Sequence, residues 1–232
     1  MSAPRVSGRH CKEPRNDYLR AMARAKNKDK ILTAATQLFN EQGFVNVRLQ
    51  HISDATIISL GNIAYHFKNK EAIVGAIFES WERKQREALA EYRHAPIFDN
   101  LDRIFQTAAG LQQEYRFFYT DILEIRRAFP GLFERISQLF HWQFLHFQEI
   151  LRFNVSRGAL QPLSARQSDF LAQLLVEQLN TWPYTQLVWG QQRPPHPLGQ
   201  QIWPLLEPYL TPAGQEELRI LREQTVTWEE ES

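Results

Sequence analysis

Cysteine is almost missing from this 232-residue chain, which has one, Cys11. A single thiol excludes an internal disulfide and leaves no thiolate zinc cluster, so a reducing, cytoplasmic setting is expected. Cys11 itself reads as an incidental thiol near the amino terminus. Long apolar runs are missing too. No stretch approaches the ~18 residues that a membrane-spanning helix needs, and the basic amino terminus is followed by no apolar segment of the secretory kind. No membrane partner is expected. The 10 glycines form no phosphate-cradling loop, and neither a GxSxG elbow nor an HExxH helix occurs. No catalytic residue, metal ligand or cofactor is therefore expected. His141 and His146 lie five apart, on different faces of a helix, which argues against a two-histidine metal pair.

What is present is apolar content enough for a sizeable core, 43% of the residues, in one larger or two smaller domains. Charge is unevenly divided. Residues 1–70 hold 12 Lys and Arg against 5 Asp and Glu, while the remainder holds 15 against 21. A basic front and an acidic back imply that only the front meets a polyanion. Residues 1–27 contain Pro4, Gly8 and Pro14, lack apolar periodicity, and read as a basic arm. That arm is either a solvated tail or a reach toward phosphates or a minor groove. An Arg-, Ala- and Lys-rich piece from Leu19 has the composition to become helical near DNA.

From Asp29 the pattern is helical. Ile31, Leu32, Ala35, Leu38 and Phe39 form one stripe, and Gly43 follows as the carboxy-terminal cap. The stretch from Arg48 to Lys70 then splits into two short helical pieces, the arrangement of a DNA-reading helix-turn-helix. In the first, roughly 48–55, Leu49, Ile52 and Ala55 share a buried edge and Gln50, His51 and Asp54 face solvent. After a tight connection through Thr56–Ile58, Ser59 caps the second. There Ile63 and Phe67 point inward, and Leu60, Gly61, Asn62, Tyr65 and His66 point outward, followed by Lys68 and Lys70. These are groups that bond base edges and phosphates. Taken alone, the same stretch fits a surface helix hairpin about equally well.

From Lys30 to Ile73 the chain resembles the amino-terminal domain of the TetR family of transcriptional regulators. The resemblance runs through Ile31-Leu32, Ala34-Ala35, Leu38-Phe39, Glu41, Gly43-Phe44, Ile52, Ala55, Ser59, Gly61, Ile63 and the run YHFKNKE from Tyr65. Three positions depart from the family pattern. Arg48 stands where a capping Thr or Ser is usual, Ile57 where the turn Gly is usual, and Ala64 where a phosphate-contacting Tyr is usual. Asn46 or Asn62 is available to compensate for the first two. For the third, Tyr65 is positioned to take over the contact.

Past Asn69, which caps a long helix with Glu71 in its first turn, Ile73, Ile77 and Trp81 repeat at i, i+4, i+8. That helix is expected to run to about Arg93 and to stop at Pro96. Helices are then expected over 99–114, 116–128 and 131–155, with no strands. Ser164 and Gln167 make a capping box for a helix striped by Phe170, Leu171, Leu174, Leu175 and Leu179, which Pro183 should kink. QQRPPHP from Gln191 reads as a rigid polar loop, Leu198–Leu210 as a broken helix, and Thr211-Pro212 as the start of a last one. Aromatics crowd Tyr115–Phe153. They serve either as ordinary core or as the walls of an apolar cavity. The resemblance favours an effector site, with Tyr119, Asp121, Glu124, His141, Trp142, His146 and Trp182 as candidate polar or amphipathic walls.

The expected architecture is all-α. A basic arm (1–27) precedes a helix-turn-helix domain (28–70) and a helical effector-binding and dimerisation domain (71–228, with 71–93 as the connecting helix), and an acidic tail (229–232) closes the chain. The expected function is sequence-specific DNA binding as a homodimer on a palindromic operator, modulated by a small hydrophobic or amphipathic effector. Candidate DNA contacts are Arg48, Gln50, His51, Ser59, Leu60, Gly61, Asn62, Tyr65, His66, Lys68 and Lys70. Two rivals remain: a helical adaptor that kept the fold and lost DNA reading, favoured by Arg48, Ile57 and Ala64, and an enzyme or carrier of hydrophobic ligands.

Overall fold

The structure, a computed structural model, describes residues 14–90, 97–190 and 198–230, and for 14–21, 23, 200 and 224–230 the backbone alone. Eleven α-helices occur among the described residues: α1 (Pro14–Gln42), α2 (Leu49–Thr56), α3 (Leu60–His66), α4 (Lys70–Ala90), α5 (Phe98–Glu114), α6 (Phe117–Thr120), α7 (Ile122–Ala128), α8 (Pro130–Ser156), α9 (Ala165–Trp189), α10 (Leu198–Leu206) and α11 (Pro212–Glu230). A 3-10 turn, Glu207–Tyr209, links the last two. No strand forms among these residues, only an isolated antiparallel bridge between Leu160 and Leu210. None of these helices is long and apolar enough to cross a membrane.

Several helix starts lie where the capping residues put them. Asn69 Oδ1 accepts the Ala72 N–H at 2.9 Å, Ser59 Oγ the Asn62 N–H at 3.3 Å, and Ser164 with Gln167 closes the capping box. Other boundaries differ from expectation. Helix α1 begins at Pro14 rather than near Asp29, so the latter half of the segment read as an arm is helical. The expected helix over 116–128 is two helices, broken at Asp121. Helix α5 starts one residue early, at Phe98, because its first amide is satisfied from outside: Phe98 N–H donates to Glu217 Oε1 at 3.0 Å. The expected stop at Arg93–Pro96, the QQRPPHP loop, Cys11, residues 1–13 and the last two residues lie outside the described residues.

Two buried apolar clusters hold the chain together. The first joins Ile31, Phe39, Ile52, Ile63 and Phe67 of the reading unit to Trp81 and Phe78 of α4 and onward to Phe117, Phe118 and Ile136. The second fills the space among α5, α8, α9, α10 and α11 with Phe105, Phe147, Leu175, Ile202 and Leu218. Each large aromatic so buried contributes roughly 2–3 kcal/mol. Because the first cluster runs through both halves, the reading unit has no core of its own apart from the helices behind it.

Candidate nucleic-acid interface

Helix α3 sits on two side chains. Ile63 is fully buried and Phe67 nearly so, and they seat the helix on the first cluster. Leu60, Gly61, Asn62 and Tyr65 face outward, exposed, and His66 is half-buried. Helix α2 stands behind it on Ile52, as expected, but its register is shifted. Ala55 is exposed and Thr56 is buried instead, its hydroxyl donating to the Ile52 carbonyl at 2.7 Å.

Two of the three departures from the family pattern, Arg48 and Ile57, lie at the two ends of α2. At the start of α2 the Arg48 N–H donates to His51 Nδ1 at 3.3 Å, the return arm of a capping box, and the His51 N–H donates to the Arg48 carbonyl at 3.0 Å. Arg48 keeps an exposed side chain. Ile57 adopts the left-handed conformation, φ 57° and ψ 32°, that a glycine would take without penalty. Its N–H closes helix α2 on the Ser53 carbonyl, and the Ser53 hydroxyl donates to the Ile58 carbonyl at 2.7 Å.

Cations frame this face. The Arg24 guanidinium lies 4.8 Å from the Tyr65 ring centre, and Lys28 approaches Phe67 at 6.0 Å. The amino-terminal half of α1 therefore borders the reading helix. Lys68 is exposed. Gln50 is held by Asp54 at 2.8 Å. Lys70 departs from its expected place on a phosphate. Its ammonium donates to the Phe44 carbonyl and sits 4.1 Å from the Phe44 ring centre and 5.5 Å from that of Phe39. Burial pulls its pKa down from the usual lysine range. Lys70 thus fixes the turn between α1 and α2.

The candidate effector residues are engaged with several different partners. Tyr119 is buried, and its hydroxyl accepts from Trp81 Nε1 at 3.0 Å and Gln85 Nε2 at 2.7 Å. Burial, over these two bonds, pushes its pKa up. Asp121 Oδ2 accepts the Phe44 N–H at 2.6 Å, 77 residues away in sequence. Glu124 pairs with Arg127 near the surface at 2.5 Å, and His141 is exposed against Phe144. Trp142 and His146 do meet, stacked at 5.4 Å, with the His146 Nε2 at 2.9 Å from the Leu89 carbonyl. Trp182 is half-buried on the second cluster. Sequence reasoning missed the buried amides Gln85, Gln112, Gln143 and Asn180. A signal was present, since Trp81-Gln85-Leu89, Leu139-Gln143-Phe147 and Ala172-Val176-Asn180 each place an amide in an otherwise apolar i, i+4, i+8 row.

The reading unit is gripped from behind through the side chain and the carbonyl of Asn40. Asn40 Nδ2 donates to the Glu114 carbonyl at 2.8 Å, Asn40 Oδ1 accepts the Phe117 N–H at 3.0 Å, and Arg116 donates to the Asn40 carbonyl at 2.6 Å. Phe39 lies 5.1 Å from Phe117 and Phe44 5.5 Å from Phe129, ring centre to ring centre.

Residues 31–77 match the family described as bacterial regulatory proteins, tetR family. Residues 81–218, more than half of the chain, match the TetR family described as bacterial transcriptional repressor. The HTH-type transcriptional regulator UidR of Escherichia coli K12 is 38% identical over 64 residues, which is 28% of this chain and 31% of UidR, so the chain spans about a third of that relative. Among solved structures, a TetR-family transcriptional regulator from Marinobacter aquaeolei VT8 is 26% identical with a TM-score of 0.76, covering 85% of this chain and 97% of that one. A gamma-butyrolactone receptor, described as ArpA-like, shares the fold at 17% identity and a TM-score of 0.61, over 87% and 99% of the two chains. The matched family and these relatives are regulators rather than enzymes.

Proposed function

Because the chain belongs to the TetR family of bacterial transcriptional regulators, we propose that it is a homodimeric repressor that reads a palindromic operator and releases it when a small hydrophobic or amphipathic effector binds. The observation that carries this reading is the outward row Leu60, Gly61, Asn62 and Tyr65 on a helix seated by Ile63 and Phe67, flanked by Arg24, Arg48 and Lys68. Gln50, Leu60, Gly61 and Asn62 are assigned to base edges, and Arg48, Tyr65, His66 and Lys68 to phosphates. The adaptor reading loses its motive at one of the three departures from the family pattern. Ile57 adopts the turn conformation without a glycine.

One reading helix buries too little to bind tightly. Two on a two-fold axis reach successive major-groove turns about 34 Å apart. An interface between copies is supported by the apolar residues that α9 and α11 leave exposed: Phe170 at 57%, Tyr184 at 56%, Leu187 at 66%, Val188 at 64% and Ile220 at 42%. Regulation would run through the grip on Asn40 and Phe44. An effector that favours one arrangement of α5–α7 shifts the spacing of paired readers by its differential affinity for the two states. One neighbour of this fold is named a gamma-butyrolactone receptor, which supports a small amphipathic guest.

The test is selection of bound fragments from a genomic library by the full chain, with the mass of the protein–DNA complex measured in parallel. Palindromic fragments bound two chains at a time are the expected result. A protein that stays monomeric at working concentration, or shows no preference among duplexes at moderate salt, overturns the reading.

A further inference from the structure

Helix α9 is opened beside Asn180. Pro183 has no N–H, so the Leu179 carbonyl loses its donor within the helix. Gln112 of α5 replaces it, Nε2 to carbonyl at 2.6 Å. Next to this joint, Asn180 Nδ2 donates to the Val176 carbonyl and to Gln143 Oε1 of α8, both at 2.8 Å. Gln143 is 0% exposed and Asn180 6%. After these bonds are counted, Gln143 Nε2 and Asn180 Oδ1 have no hydrogen-bond partner among the described residues. Reversing both amides does not mend this, because an Asn180 oxygen would then face the Val176 carbonyl. Buried amide atoms left unpaired are costly and call for a reason. A donor on α8 and an acceptor on α9 are thus left unpaired, on helices where Phe140, Trp142, Phe144 and Trp182 are only partly buried.

We propose that the Gln143–Asn180 pair is the polar end of the effector site, taking an uncharged group that accepts from Gln143 and donates to Asn180: a hydroxyl or a carboxamide on an otherwise apolar molecule. This rests on the effector-gated reading above. An ester only accepts, so it leaves Asn180 Oδ1 unpaired. An ionised carboxylate also only accepts, sets a negative oxygen beside that carbonyl, and must shed its water with no charge supplied by either amide.

Four probes on the unaltered full chain test the assignment: octanamide, 1-octanol, methyl octanoate, and sodium octanoate at pH 8. Octanamide and octanol should raise the melting temperature in step with the logarithm of their concentration, and the ester and carboxylate should do so much less. In Gln143→Leu/Asn180→Leu both unpaired groups leave together, so the variant should melt no lower than the parent. It should bind octanamide roughly five- to tenfold more weakly. The order among probes is read on the parent chain and stands even if the double variant fails to fold. Octanamide binding no tighter than its ester, or equal binding of octanamide by parent and variant, overturns the proposal. If genomic fragments are captured but the probe order is absent, the site falls and the regulator stands. If the probe order holds and no DNA is captured, the regulator falls and the site stands.

Discussion

Replacing Ile57 by glycine removes a β-branched side chain from a left-handed backbone, and the expected result is a more stable protein. Ile57 is the sole non-glycine residue with positive φ among the described residues. The left-handed conformation costs an L-residue about 1–2 kcal/mol, while glycine's extra freedom in the unfolded chain returns roughly 0.5–1 kcal/mol of that. Burial adds almost nothing to the balance, because Ile57 is 92% exposed. The net expectation is a gain of about 0.5–1 kcal/mol, a rise in melting temperature of roughly 1–4 °C for a chain of this size. Urea unfolding followed by circular dichroism measures it, with the midpoint moving up and the slope unchanged. Ile57→Asn should recover part of the gain and Ile57→Val none, since valine keeps the branch. If Ile57→Gly melts at or below the parent, the turn is not strained and the exposed side chain is holding something.

Other expectations follow from the same geometry. Asp121→Ala removes the acceptor of the Phe44 N–H and should cost about 1–2 kcal/mol, with hydrogen exchange at the Phe44 amide rising before exchange in α9; unchanged protection there would refute the grip. Asn62→Ala should relax sequence preference, whereas Lys68→Ala should weaken all DNA about equally and lower the salt slope by about one, both read by fluorescence anisotropy across a salt series. Tyr119→Phe strands the Trp81 and Gln85 donors and should cost about 2 kcal/mol. The Tyr119 pKa is raised in the folded state. Its contribution is therefore complete below about pH 10 and fades as pH climbs beyond the free-phenol value. The phenylalanine variant should show a flatter stability profile between pH 9 and 11.

The reading unit was legible because its signals are local. The stripe Ile31–Phe39, the Ser59 and Asn69 caps and the inward pair Ile63 and Phe67 depend on neighbours a few residues away. What escaped the sequence depends on distant partners. The amino-terminal half of α1 has no apolar period, and Arg24 and Lys28 meet Tyr65 and Phe67 through their rings, which periodicity does not register. The break at Asp121 coincides with a bond to residue 44. Lys70 reads as one more cation on a basic strip until Phe39 and Phe44 close over it. Aromatic and charged residues stand out in the sequence as effector walls, whereas the unpaired chemistry lies in neutral amides hidden within apolar rows.

The hold on Asn40 and Phe44 has a consequence for how such a regulator can change over generations. Beside the two bonds of the Asn40 side chain, the larger domain clasps two peptide groups of the smaller one: the Asn40 carbonyl and the Phe44 amide. A peptide group is the same whatever residue bears it. Outward positions such as Leu60, Asn62 and Tyr65 take no part in these bonds, so they can be exchanged while the hold is left as it was.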